Sequence, residues 1–352
     1  MRKAAALRPI FYRIVAASVL LCSSACRDHR SSETSISVVS FAPDIVAESL
    51  TPARMLSQLD DSTFFDTISS ITYSDAHGYV VTLPRAQSVH VLDDSLRPVL
   101  RLEDAGDGPG ELSLPLHAFV DGNELFVWER ERVQVFDLRL EYLRSFAIPS
   151  GMRKPAVLDG VFYTGNSVDS LAISILSRAG DLLASFGPRI HAGRLNSRML
   201  DYRMLAASNT GGVVATYNAE PRVELYDRDG ELRAEVEIGD AGPVSPLFKQ
   251  VAEANVDFER EGVPGYLREM FADLSLNGRT LYILCTGFKG KGDGTYVLVL
   301  SIDANDATVT PSRILRLLGP GAETTLVVSI LARSGKLFGY DTVFGGILVY
   351  EL

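Results

Sequence analysis

The side chains able to do chemistry are spread along the chain rather than gathered into a motif. The five histidines, His29, His77, His90, His117 and His191, form no H-x-x-x-H pair and no Cys/His spacing suited to a transition metal. His77 falls in a turn and His90 in an alternating strand, so both read as structural or solvated groups. No G-x-S-x-G elbow presents a nucleophilic serine. Gly106-Asp107-Gly108-Pro109-Gly110-Glu111 lacks the Lys-Ser/Thr pair and the strand-to-helix setting of a phosphate loop, which excludes nucleotide binding on that pattern. Its glycines suit a tight crossing between elements, and Glu111 suits capture of exposed amides. Paired carboxylates for glycoside hydrolysis would have to meet in space, which linear order does not reveal. No catalytic residue, metal or cofactor is assigned from these patterns.

A second group is better placed for binding. Arg85, Trp128, Arg130, Tyr217, Asn218 and Tyr340 fall in or beside loops that follow short apolar strands, in company with Glu129, Lys289 and Lys291. Trp128 is the single tryptophan, and a tryptophan beside arginine suits contact with a protein, peptide or glycan. Arg189, Arg194, Arg198 and Arg203 form a basic patch over 187–204 that either meets an anionic ligand or neutralises acidic neighbours.

The elements that must position these residues come from a repeat. An alternating strand ending in a polar, mostly acidic, residue recurs as Val89–Asp93, Val133–Asp137, Ile173–Ser177, Val223–Asp227, Val299–Asp303 and Ile347–Glu351. Each copy follows another short apolar strand, and most of those follow a Gly- or Asn-containing turn such as Gly122-Asn123, Asp159-Gly160 or Asn277-Gly278. The terminal residues are spaced by 44, 40, 50, 76 and 48 positions, close to the length of a propeller blade in every interval but one. A four-stranded unit cannot cover both faces alone, so six units predict a ring of sheets, an all-β six-bladed β-propeller. The long interval predicts a helical insertion over 244–272, between the fourth and fifth blades. Ser245-Pro246 would start it, Leu247, Val251, Ala254 and Phe258 would form its packed stripe, and a second short helix would span Pro264 to Ala272. The last unit lacks an outer strand; Ser35–Val39 or Thr63–Ile68 is expected to supply it, with a short helix over Thr51–Gln58 between them.

The composition fits that architecture: 352 residues, 46% hydrophobic, 22% charged, with 16 Phe, 13 Tyr and 1 Trp. A net charge of −10 excludes a general nucleic-acid binder. The first 25 residues stand apart. Arg2, Lys3, Arg8 and Arg13 precede the apolar run Ile14–Leu21, and small residues Ser23-Ser24-Ala25 precede Cys26. This is the layout of a signal peptide, with an apolar segment too short for a comfortable membrane span. Residues 26–58 read as a tether or closing segment and 59–352 as the propeller. Removal of the leader leaves Cys26 and Cys285; Cys285 ends an apolar strand and reads as a buried filler.

Two resemblances follow. Ser-Ser-Ala-Cys26 resembles the lipobox of bacterial lipoproteins, apart from Ser23 where leucine is usual; this implies a lipidated Cys26 as membrane anchor. Gly106–Pro115 resembles the Gly-x-Gly-Pro-Gly-Glu-Phe-x-x-Pro signature of six-bladed β-propeller lipoproteins related to NHL-repeat proteins, with Leu112 in place of Phe. Arg132–Asp137 and Arg222–Asp227 are similar to the Arg-Ile-x-Val-Phe-Asp phrase of NHL blades. The resemblance implies a binding or scaffold module at the bacterial cell envelope, on the outer-membrane or periplasmic side, Arg27 rather than Asp following the cysteine. It brings no assigned ligand or reaction. Lactonases of similar architecture hold calcium in the central channel with Asn, Asp and Glu ligands, which the resemblance would place at Asp121, Asn166, Asp169, Asn218 and Asp341 here, so a channel-site hydrolase is the alternative.

Overall fold

The recurring phrase forms the third strand of every sheet, and its terminal acid has a defined task. In the computed structural model, Asp93 Oδ1 accepts the amides of Ser95 and Arg97. Asp137 Oδ1 accepts those of Arg139 and Glu141, and Asp227 Oδ1 those of Asp229 and Glu231. Ser177 does the same with its hydroxyl, towards Ala179 and Asp181. Each polar cap fixes the tight turn into the fourth, outermost strand. That turn needs a left-handed residue three positions after the cap, filled by Leu96, Leu140, Gly180 and Gly230. At Gly180 a Cβ would sit 2.2 Å from the ring of Phe146 on the preceding sheet, so space as well as φ selects glycine there.

The described residues are 36–352, apart from 60–64, 66, 150, 153, 166–169, 192, 209–210, 265–266 and 286–293. They form six sheets, each with an antiparallel four-stranded body. In chain order the innermost strands are Ser70–Ser74, His117–Asp121, Ala156–Leu158, Arg203–Ser208, Phe271–Asn277 and Val327–Arg333. Six buried apolar clusters lie one in each gap between neighbouring sheets. The cluster joining sheets 6 and 1, with Tyr79, Val81, Phe338 and Val349, closes the ring. Ion pairs reinforce the gaps: Arg178 holds Asp121 and Glu124 of the preceding sheet, Arg228 holds Asp159 at 3.0 Å, and Arg333 holds Asp75. The six-bladed propeller expected from the repeat is the fold.

The ring is closed by the amino-terminal segment, though by different residues from those expected. Arg54–Leu56 pairs antiparallel with Gly346–Glu351 and becomes the fourth strand of sheet 6, where a helix over Thr51–Gln58 was predicted. Its Met55 and Leu56 pack into the two clusters flanking that sheet. Ser37–Val39 instead adds a fifth, parallel strand to sheet 4. Glu48–Leu50 does the same for sheet 5. Of the Thr63–Ile68 alternative, residues 63, 64 and 66 lie outside the described residues, while Phe65 and Ile68 are buried beneath the gap between sheets 6 and 1.

The insertion lies between the fourth and fifth sheets in chain order. It is one helix, Ser245–Arg260, entered through a 3-10 turn, Gly242–Val244. Ser245 Oγ accepts the Ala241 amide at 2.8 Å and donates to Asp240. Of the expected stripe Leu247, Val251, Ala254 and Phe258, Val251 is buried and Leu247 packs partly buried on the core, while the other fully buried positions of the helix are Phe248 and Asn255. Asn255 faces inward because its amide bonds both the carbonyl and the N–H of Arg268. The second helix over Pro264–Ala272 is not formed: residues 267–270 are irregular and Phe271 already begins the inner strand of sheet 5. Strand pairing with Thr280–Cys285 takes that segment in place of a helix.

Candidate functional site

Loops between second and third strands and the connections between sheets share one face of the ring, and the inner strands start there. At this mouth lies a cavity of about 590 Å³, lined from all six sheets. Its apolar wall includes Leu114, Leu116, Met152, Met204 and Leu205. The polar groups are divided by position. His117 and Arg130 come from sheet 2 and Lys154 from the start of sheet 3, whereas Asn218 comes from sheet 4 and Glu269 and Asp273 from sheet 5. In a six-membered ring, sheets 2 and 5 stand opposite each other, so the cationic and acidic contributions face one another across the channel.

Four of these groups, Lys154, Asp273, Asn218 and Glu269, are held in place. Lys154 Nζ reaches Asp273 Oδ1 at 2.7 Å, an ion pair between non-adjacent sheets that bars the channel. Asp273 is fixed in turn by Ser329 Oγ at 2.9 Å, by the Ile330 amide at 3.0 Å and by the Leu274 amide at 2.9 Å. The Asn218 carbonyl accepts the amides of Met270 and Phe271, and its side chain donates to Glu269 Oε1 at 3.1 Å. Asn218 Oδ1 and His117 Nδ1 are buried with no hydrogen-bond partner among the described residues. Burial first, and then the charge of Lys154, push the His117 imidazole well below its ordinary pKa, so it is neutral. The lining thus combines an apolar wall with one ion pair across the channel and two buried polar atoms, Asn218 Oδ1 and His117 Nδ1, that lack a partner among the described residues.

The expected binding residues divide accordingly. Arg130 and Asn218 line the cavity, and Arg85 is exposed. Trp128, Tyr217 and Tyr340 are buried and are not rim aromatics. Trp128 and Tyr217 end their second strands, and strand alternation turns them into the gaps between sheets; Trp128 packs edge-on to Phe162. Tyr217 lies beneath the Arg203 guanidinium, 3.8 Å from its ring centre, and donates to Glu224 at 2.9 Å. Tyr340 packs in the cluster between sheets 6 and 1. Of the calcium-type ligands, Asp121 is engaged by Arg178, and Asp341 caps its own turn through the amides of Val343 and Phe344. Asn166 and Asp169, like Lys289 and Lys291, lie outside the described residues.

The glycine motif is built into the rim. Glu129 accepts the amides of Ser113 and Leu114, and Arg132 donates to the carbonyls of Asp107 and Glu111. Gln134 takes the Gly110 amide at 2.8 Å and donates to Glu111 O. A Cβ at Gly106, where φ is +153°, would meet Glu111 Oε2 at 2.1 Å. The motif is therefore a clamp that sets Leu114 and Leu116 on the cavity wall.

The basic patch is split between interior and surface. Arg203 is fully buried with Glu224, and Arg194 pairs with Glu259 of the helix; Arg198 is exposed. His191 sits between Asp201 at 2.9 Å and Glu220 at 2.6 Å. Burial alone would lower its pKa, but hydrogen bonds and charge from the two carboxylates more than offset this and raise it to about 9. His191 is therefore protonated at neutral pH, and its stabilising contribution is complete below about pH 6.5 and lost as pH rises through about 9. Wild-type protein is expected to lose on the order of 3 kcal/mol between those limits in chemical denaturation, and His191→Gln to flatten that limb. An equally steep limb in the variant would assign the effect elsewhere.

Fold and site together define the class of this protein: a six-bladed β-propeller with a ligand-sized cavity at its mouth. No family model matches the chain, and no curated protein does. Among solved structures it is similar to a member of the DUF4221 family from Bacteroides vulgatus, at 9% identity, covering 86% of this chain and 96% of that one, with a TM-score of 0.54. It also matches a streptogramin B lyase (12% identity, 84% and 96% coverage, TM-score 0.49) and BamB from Moraxella catarrhalis (11%, 89% and 95%, 0.44). At these identities the likeness concerns the fold.

Proposed function

We propose that this chain is an exported, lipid-anchored propeller that acts as a binding or scaffold module at the bacterial cell envelope, holding its ligand at the channel mouth. The observation that carries the reading is the cavity itself. Its volume is within the range of small-ligand and peptide pockets, and two buried polar atoms on its lining have no partner among the described residues. The anchor rests on the basic, apolar and small-residue segments that precede Cys26, and the envelope address on the resemblance to NHL-related propeller lipoproteins. No helix among the described residues is long and apolar enough to cross a membrane. The hydrolase alternative has less support, because Asp121 and Asp341 are each committed to a turn or an ion pair away from the cavity.

Two experiments test this. Cys26→Ser is expected to move the protein from the membrane to the soluble fraction, and an unchanged partition would remove the anchor. A photo-crosslinking residue at position 130, on the rim, is expected to give adducts in envelope preparations, whereas one at position 305, in a turn between third and outer strands on the opposite face, gives none. Equal labelling at both positions would sink the mouth as the contact site.

A further inference from the structure

Most polar groups on the cavity lining are already engaged, and the remainder define a class of ligand, given the reading above that the mouth is a binding site. Ser69 Oγ donates to the Leu116 carbonyl at 2.7 Å. Lys154 and Asp273 neutralise each other at 2.7 Å, and Asp273 also receives the Leu274 and Ile330 amides and the Ser329 hydroxyl. Arg130 and Glu269 are exposed to solvent at the rim. Two buried lining atoms, Asn218 Oδ1 and His117 Nδ1, have no partner among the described residues, on side chains of residues only 4% and 3% exposed. We infer that the cavity takes an uncharged, largely apolar alcohol, held by a hydrogen bond from its hydroxyl to Asn218 Oδ1. The Asn218 amide is oriented for this, because its Nδ2 donates to Glu269 Oε1 at 3.1 Å and leaves the oxygen as the acceptor in need of a donor. His117 is neutral and asks for no counter-charge. Its Nδ1 offers a second position, and a hydroxyl, which both donates and accepts, serves either tautomer of the ring.

Charge on the ligand would work against binding. An anion would have to compete with Asp273 for Lys154, and a cation would meet a carboxylate whose two oxygens are already filled. Either would give up hydration without gaining a partner of its own. The apolar wall of Leu114, Leu116, Met152, Met204, Leu205 and Phe271 supplies the driving force for an apolar body, and the methionines can adjust to its shape. A plain hydrocarbon would cover that wall but seal Asn218 Oδ1 away from any donor. A sugar would strip water from many hydroxyls where the lining offers two partners. The cavity volume of about 590 Å³ is that of a small-molecule site.

The test is calorimetric titration of the mature chain, residues 26–352 carrying Cys26→Ser so that neither lipid nor detergent takes up the probe, with 4-hexylphenol, 4-hexylanisole and 4-hexylbenzoate. The three share one apolar body and differ in its head: a hydroxyl, a methyl ether that cannot donate, and a carboxylate. The phenol is expected to bind one-to-one, and the ether and the carboxylate each at least about tenfold more weakly, the scale of one hydrogen bond to a buried acceptor. In Asn218→Leu the phenol and the ether should bind equally; if that variant does not fold, the series on the Asn218 protein decides alone. An ether that binds as tightly as the phenol, a benzoate that binds more tightly, or a phenol that does not bind up to its solubility limit overturns the inference. So does a preference for the phenol that survives Asn218→Leu. If all three probes fail while crosslinking from position 130 persists, the binding-module reading stands with another ligand; if crosslinking fails as well, both fall.

Discussion

Arg203→Met is expected to destabilise the protein by about 3–5 kcal/mol, the scale on which a buried charge left without its partner acts. Arg203 and Glu224 are both buried between sheets 3 and 4. The guanidinium donates to Glu224 Oε2 at 3.1 Å, to the Pro188 carbonyl at 2.9 Å and to the Asp201 carbonyl, while covering the ring of Tyr217. Methionine fills much of the volume but leaves the Glu224 carboxylate with only the Tyr217 hydroxyl. Removing both charges in Arg203→Met/Glu224→Leu should therefore recover most of the loss, because the desolvation cost disappears with the pair. Urea denaturation of the two single variants and the double variant gives the coupling energy directly. Additive losses would show that packing around Arg203, rather than the charge of Glu224, dominates.

That network also shows which parts of the molecule could be read in advance. Third strands announced themselves because both faces of each alternate between neighbouring sheets and each ends at a side chain that caps the next turn. Asp93, Asp137 and Asp227 recur for that mechanical reason. Inner strands carry no such signature. They are short, they face the channel on one edge, and their residues vary with whatever the channel holds. His117, Lys154, Met204 and Asp273 line the cavity without any local pattern that marks them. Phe271-Ala272 was absorbed into an expected helix, because an apolar pair after a helical stretch reads equally well as a continuation. Trp128 and Tyr217 read as loop residues because they lie just past the apolar run of a strand, yet one further paired residue at Trp128, and two at Tyr217, are enough to turn each ring inward. The acid–base groups of the 187–204 segment were visible as charge, but their burial was not. Charge alone does not distinguish a surface patch from an internal ion network.

The amino-terminal strap makes the strongest demand on the fold. Sheet 6 draws three strands from the end of the chain and its outermost strand, Arg54–Leu56, from the beginning, so the ring is held shut by non-covalent pairing between distant segments. On the way, the same segment pairs with the outer edges of sheets 4 and 5 and buries Phe41 in the cluster beneath the helix. Chains starting at residues 41, 52 and 58 remove one, two and three of these strands, leaving the edges of Leu232–Ile238, Thr308–Leu317 and Gly346–Glu351 bare in turn. Stability should fall in that order. The start at 52 also removes the Phe41 burial, worth about 3–5 kcal/mol alone, and opening sheet 6 at the start at 58 should bring the total loss to at least about 5 kcal/mol. Bare edges should also make the shortest chain prone to self-association, readable by light scattering. A separately added peptide spanning residues 36–59 should restore both stability and monodispersity, because the strap contributes only pairing and packing. A chain starting at 58 that melts with the full-length protein would mean that the ring closes through the gap between sheets 6 and 1 alone.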